Sequence, residues 1–140
     1  MQLTLTTDYA IRCLICLSQN EGICTSQRVR EYAEITSDEH TRKILRQLKH
    51  GGLVRSDKGA NGGYSLAHPL SEITFLDVLR CTEDTVKINR ILESTRDGQE
   101  SSERVAVRSF YEKTQQLFDG YFGNITVQDI MNGNLPDIRF

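Results

Sequence analysis

The chain has 140 residues, of which 38% are hydrophobic and 26% charged, with a formal net charge of −2 and a pI near 5.9. That composition supplies one ordinary core, and the absence of an apolar run of about 18 residues or of a basic-then-apolar leader excludes a membrane span and a signal peptide, so a soluble, cytoplasmic protein is expected. The slightly acidic total also excludes a general nucleic-acid coat, because affinity for phosphates scales with the cations placed against them.

The first predicted helix covers residues 9–17, with Thr6 or Thr7 available as cap and Ala10, Leu14 and Leu17 facing one way. A short second helix is capped by Thr25 or Ser26 and carries Val29, Tyr32 and Ala33 at i, i+3 and i+4. Ile35-Thr36-Ser37 then leads into a third helix whose Thr41, Ile44, Leu45 and Leu48 form one apolar stripe. Arg42, Lys43, Arg46 and Lys49 fall largely off that stripe, so the helix shows a cationic face to solvent. Ser37 is its N-cap candidate, Asp38 and Glu39 suit the positive end of its dipole, and Gly51 or Gly52 supplies the left-handed residue that ends it. Two helices joined by a tight turn, the second cationic, read as a helix-turn-helix.

A strand beginning at Leu53, Val54 and Arg55 and a second at residues 64–67 make a hairpin, with Asn61-Gly62 as a two-residue turn that requires positive φ at both positions. Arg55 and Lys58 flank this wing and Gly59, Gly62 and Gly63 lie in its expected tip, which lets the tip lie against a phosphate backbone or enter a minor groove. A nucleotide-binding glycine loop fits less well, because such loops join a strand to a helix. Between residues 37 and 58, Arg42, Lys43, Arg46, Arg55, Lys49 and Lys58 face only Asp38, Glu39 and Asp57. A basic site on an acidic body suits a specific binder.

In the second half, residues 74–81 read as a short helix capped at Thr74 that buries Phe75, Val78 and Leu79. Residues 85–102 are polar, contain Asp97-Gly98 and are expected to form a flexible loop with a helical turn near residues 88–92. A long helix follows over residues 103–122, with Val107, Phe110, Tyr111, Thr114, Leu117, Phe118, Tyr121 and Phe122 on a wide apolar face, and a final helix opens at Thr126 with a near match to a capping box and stops near Gly133. The expected fold is mainly α with a small β wing: a winged helix-turn-helix domain over residues 1–84, the loop over 85–102, and a dimerisation helix with a C-terminal helix over 103–140. One winged helix does not need a long aromatic-rich helix to close its core, so that surplus apolar surface is read as the interface of a homodimer.

The segments MQLTLTTDYAIRCLICLS, LRQLKHGGLVRSDKGANGGYSLAHP, ITFLDVLRCTE and ITVQDIM resemble the Rrf-two family of bacterial winged-helix transcriptional regulators, the group that includes IscR, NsrR and CymR. The resemblance covers most of the chain and weakens between about residues 85 and 102. It implies a homodimeric regulator, usually a repressor, with its second helix-turn-helix helix in the major groove and its wing in the minor groove of a pseudo-palindromic operator. The residues that carry the match to DNA contact are Ser37, Arg42, Lys43, Arg46, Arg55, Asn61, Gly62 and Gly63. Many members hold an iron-sulfur cluster through three cysteines ahead of the long helix. In this chain the corresponding positions are occupied at Ile91 and Val105, and no cysteine follows Cys81. No cofactor is therefore expected. Asp8 stands where some members supply a carboxylate ligand, but without thiolates it reads as a helix N-terminal charge or a salt-bridge partner.

Of the four cysteines, Cys13, Cys24 and Cys81 are read as small core residues, and Cys16 as lying toward the polar edge of its helix, where it is the candidate redox thiol. His40, His50 and His68 show no metal-ligand spacing with the cysteines, and no metal site is expected. The chain has no nucleophile elbow, phosphate loop or His-rich zinc signature, so it is not read as an enzyme. The expected function is sequence-specific regulation of transcription on double-stranded DNA, answering to a small-molecule or protein effector. The competing reading is a winged-helix protein-interaction module without sequence-specific DNA binding.

Overall fold

The computed structural model describes residues 1–94, 98 and 100–138. Among them, helices α1 (Leu5–Ser18), α2 (Ser26–Ala33) and α3 (Asp38–His50) are followed by an antiparallel hairpin, β1 (Val54–Asp57) and β2 (Gly63–Leu66), then by α4 (Phe75–Thr82), α5 (Ser102–Asn124) and α6 (Val127–Asn132). No helix among the described residues is long and apolar enough to cross a membrane. Between α4 and α5 a 3-10 turn stands at Arg90–Leu92; residues 95–97 and 99 of the expected loop, Asp97 among them, lie outside the described residues, and Ser102 already belongs to α5.

The principal core is built by α1, α2, α3 and α4. Ala10, Leu14 and Leu17 of α1 meet Val29 and Ala33 of α2 and the stripe of α3, in which Thr41, Ile44, Leu45 and Leu48 are all fully buried. Removing a leucine or isoleucine side chain of this size from water contributes roughly 1.5–3 kcal/mol. Tyr32, read as part of the inner face of α2, is instead 45% exposed, because α2 has only two turns and Val29 with Ala33 already fills its contact with α1 and α3. In α4, similarly, Leu76 is buried while Phe75 is half-buried at the edge, against Phe122 with ring centroids 4.8 Å apart.

Caps set most of the helix starts. Thr25, Ser37, Thr74 and Thr126 each accept a backbone N–H of their helix, the last two within complete capping boxes closed by Asp77 and Asp129. Those two boxes sit side by side, since Phe75 N donates to Ile125 O and Val127 N donates to Ile73 O, both at 2.8 Å. Helix α1 differs from expectation. It begins at Leu5, and neither Thr6 nor Thr7 caps it: the Thr7 hydroxyl is buried and shared with the Thr82 hydroxyl at 2.9 Å, tying α1 to the end of α4.

Helix α5 contributes little to this core. Phe122 packs with Leu76 and Leu79, whereas Phe110 is 64% and Leu117 53% exposed and Val107 and Phe118 are exposed with them. The side chains that α5 does bury upstream are polar. Gln115 accepts from Ile88 N and donates to Val86 O, and Arg108 donates to Ile91 O and pairs with Glu100. Amphipathic periodicity gives no warning of either, because a buried arginine reads as solvent-facing until its partners are known.

Candidate nucleic-acid interface

The orientation of α3 is set by the turn before it. Helix α2 ends with Glu34 in the left-handed region at φ 57°, and Arg30 reaches over the turn to donate to Ile35 O, to Thr36 O and to Asp38 Oδ1, each at 3.2 Å. Arg30 thus fastens α2 to the start of α3 and is itself partly neutralised there. Its role was hidden in the sequence because its partners are mostly backbone carbonyls. The Ser37 hydroxyl accepts from His40 N at 3.0 Å, and the Thr41 hydroxyl donates to Ser37 O at 3.0 Å. Ser37 is therefore first a cap, placed at the rim of the exposed face.

With the stripe of α3 inward, Arg42, Lys43, Arg46 and Lys49 all point to solvent. Among the described residues none of Arg42, Lys43 and Arg46 is in an ion pair, so their charge is available to an outside partner. Ser37, Glu39, His40, Lys43 and Arg46 line a shallow depression along this face. The helix ends as expected at a left-handed glycine, Gly52, φ +80°.

The wing departs from its expected geometry. Strand register pairs Val54 with Leu66 and Asp57 with Gly63, leaving a five-residue loop from Lys58 to Gly62. Within it Gly62 N donates to Gly59 O at 3.0 Å, so the turn is centred on Ala60 and Asn61, and the residue at positive φ is Gly59, +108°. The two-residue Asn61-Gly62 turn is thus corrected. The reason is packing: Tyr64 and Cys24 exchange two backbone hydrogen bonds at 2.8 Å, which anchors the root of β2 on the segment before α2 and sets the register from that side. Gly63 lies in β2 with its backbone against Cys24, where a Cβ would collide with the Cys24 carbonyl, and a Cβ on Gly62 would collide with the Asp57 carbonyl. Both glycines serve close backbone approach, and Lys58, Gly59 and Asn61 form the exposed tip, with Arg55 exposed beside it on β1. A hollow joins Lys58, Gly59 and Gly62 to Thr25 and Ser26 at the start of α2, so wing and helix-turn-helix present one surface.

Cys16 is corrected as well. It is 1% exposed, with its thiol pushed up to about 11 by burial and by the neighbouring Cys24. Cys13 and Cys24 are buried as read, whereas Cys81 is only half-buried at the edge of the core, because α4 ends there against Gly51. Burial pushes the Cys13 thiol up to about 12, and burial with the nearby Asp77 pushes the Cys81 thiol up to about 11. Asp8 lies in the first turn of α1 and pairs with Arg12 at 3.2 Å.

Comparison with known proteins agrees with this arrangement. Residues 3–133 match the Rrf2 family, described as iron-dependent transcriptional regulators. Protein aau3 of Rhizobium meliloti (strain 1021) is 33% identical over 151 aligned positions, spanning 100% of this chain and 90% of that protein. CymR (YrzC), the global cysteine regulator of B. subtilis, superposes with a TM-score of 0.69 at 20% identity over 93% of this chain and 95% of its own. IscR of T. potens does so with a TM-score of 0.68 at 22% identity over 96% of this chain and 88% of its own. The cationic third helix and wing therefore stand on a winged-helix scaffold shared along nearly the whole sequence, and the chain belongs to the Rrf2 family of DNA-binding transcriptional regulators.

Proposed function

We propose that this chain is a homodimeric, sequence-specific repressor that places α3 in the major groove and its wing tip in the minor groove of a pseudo-palindromic operator. The observation that carries the reading is the outward face of α3, where Arg42, Lys43 and Arg46 are exposed and free of ion pairs among the described residues while the opposite face is fully buried. Arginine and lysine on a rigid helix reach guanine O6 and N7 in that groove, and Lys58 and Arg55 on the wing supply phosphate contacts with Ser37, Asn61, Gly62 and Gly63 around them. The exposed Val107, Phe110, Leu117 and Phe118 of α5 support a two-fold interface that would set the half-site spacing. Its working place is the cytoplasm, and no catalytic role is proposed.

We further read it as a regulator without a resident cluster, despite the iron in the family's description. Ile91 and Val105 offer hydrocarbon where thiolates would be needed, and no cysteine follows Cys81. Around them, Arg108 of α5 holds Ile91 O and Glu100, and Gln115 holds Val86 and Ile88 just upstream. No three-residue group of His, Cys, Asp or Glu suited to a metal occurs among the described residues. The signal is then a small molecule or a partner protein.

The test is in vitro selection of genomic fragments by the purified protein at physiological salt. One enriched palindromic motif supports the reading, and salt-sensitive binding with no enriched sequence points to a protein-interaction module.

A further inference from the structure

A crevice of about 390 Å³ runs along the flank of α3 away from α2 and the wing, between the C-terminal half of α3 and the end of α4. Lys43, Arg46, Gln47 and His50 line it from α3, Arg80 and Cys81 from α4, and no carboxylate is among its lining residues. Resting on the reading of α3 as the groove-entering helix, we propose that this crevice seats a backbone phosphate of the bound DNA, with Arg80 as a phosphate-binding residue.

Four observations carry it. A helix about 10–12 Å across fills a major groove about 12 Å wide, so sugar-phosphate backbone runs along both of its flanks. One flank of α3 is faced by α2 and the wing; the other is this crevice. Second, Arg80 is held only loosely by the protein: its side chain is 60% exposed and its Asp77 partner stands 3.9 Å away. Such a surface pair is readily exchanged for a phosphate. Third, the Gln47 amide lines the same hollow with no protein partner among the described residues; its unsatisfied Oε1 is an acceptor that a phosphate cannot satisfy, so it is the Nε2 donor of that amide that a phosphate seated there would engage. Fourth, the Cys81 sulfur fills the space where a side chain on Gly51 would be, which locks the end of α4 to the end of α3 and fixes Arg80, the preceding residue, relative to the reading helix.

The experiment measures operator affinity against salt for the full chain, for Arg80→Gln, for Arg80→Lys and for Lys87→Gln as a cation outside the crevice. Loss of one phosphate contact lowers the slope of log K against log salt by about 0.9 and weakens binding about fivefold at 0.15 M salt. We expect that change in Arg80→Gln, equally on operator and unrelated duplex, with the selected motif unaltered, the wild-type slope in Lys87→Gln and most of it in Arg80→Lys. A wild-type slope in Arg80→Gln alongside intact sequence preference overturns the phosphate seat and leaves the repressor reading standing. Binding of inorganic phosphate that Arg80→Gln abolishes without changing the DNA slope also overturns it, in favour of a free small anion. Failure of the wild-type chain to prefer any sequence removes the reading on which the proposal rests.

Discussion

Cys81 Sγ lies where a side chain on Gly51 would have to go, so the last turn of α4 docks against the end of α3 through a missing methyl group. Gly51 itself has φ −78°, a conformation that alanine adopts freely, and the demand for glycine is therefore steric. Gly51→Ala should destabilise the fold by about 1–3 kcal/mol through overpacking. Gly51→Ala with Cys81→Ala should recover most of that loss. Denaturant unfolding of the four proteins in the cycle measures it, and simple additivity would show that the two positions do not meet.

The two faces of α3 should separate stability from binding. Leu48→Ala removes a fully buried side chain and should cost about 2–5 kcal/mol of unfolding free energy. Arg42→Ala and Arg46→Ala should leave stability within about 0.5 kcal/mol yet weaken operator binding by about 1–3 kcal/mol if they read bases. Neutralising Lys58 should lower affinity with less loss of sequence preference. Thermal melts and operator titrations read both, and unchanged binding in all three charge variants would remove the proposed DNA face.

The thiols should behave as core groups. With Cys13 pushed up to about 12 and Cys16 and Cys81 to about 11, the folded chain holds these protons through a range where the unfolded chain, near 9.0, has lost them. Their contribution to stability is then complete below about pH 9 and is lost as pH rises through about 11 for Cys16 and Cys81 and about 12 for Cys13, and Cys13→Ala should flatten that alkaline decline. Iodoacetamide should label Cys16 far more slowly than an unfolded cysteine, and operator binding should survive diamide and Cys16→Ser. Rapid native labelling would restore Cys16 as a redox candidate.

Helix α5 should be where oligomerisation fails. Phe110→Glu or Leu117→Glu places a charge on its exposed apolar face and should yield a folded monomer with weak operator affinity. Sedimentation velocity distinguishes that from a monomeric wild type, which would end the dimer proposal.

Arg108 should hold the segment before α5. Its side chain is 4% exposed and pairs with Glu100, itself 8% exposed and also 3.4 Å from Arg104, so Arg108→Met removes one of the cations that neutralise a buried carboxylate and should cost about 1.5–3 kcal/mol. Hydrogen exchange should show lost protection around Ile91, and unaltered exchange would mean that the segment is held by other contacts.

What the chain's own pattern determined was local. The stripe at Thr41, Ile44, Leu45 and Leu48 was legible because helical period and burial coincide over two turns, and Ser37, Thr74, Thr126 and Gly133 were legible because caps are chemistry within a few residues. The tertiary structure decided what depends on partners far away in sequence. Tyr64 pairing with Cys24 set the wing register and moved the turn to Ala60-Asn61, and the packing of α1 on its neighbours buried Cys16. It also placed Arg80 beside α3 and turned Arg108 inward. A periodicity reports which face of a helix is apolar, but what that face meets, and which charge finds a partner, follows only once the elements are packed.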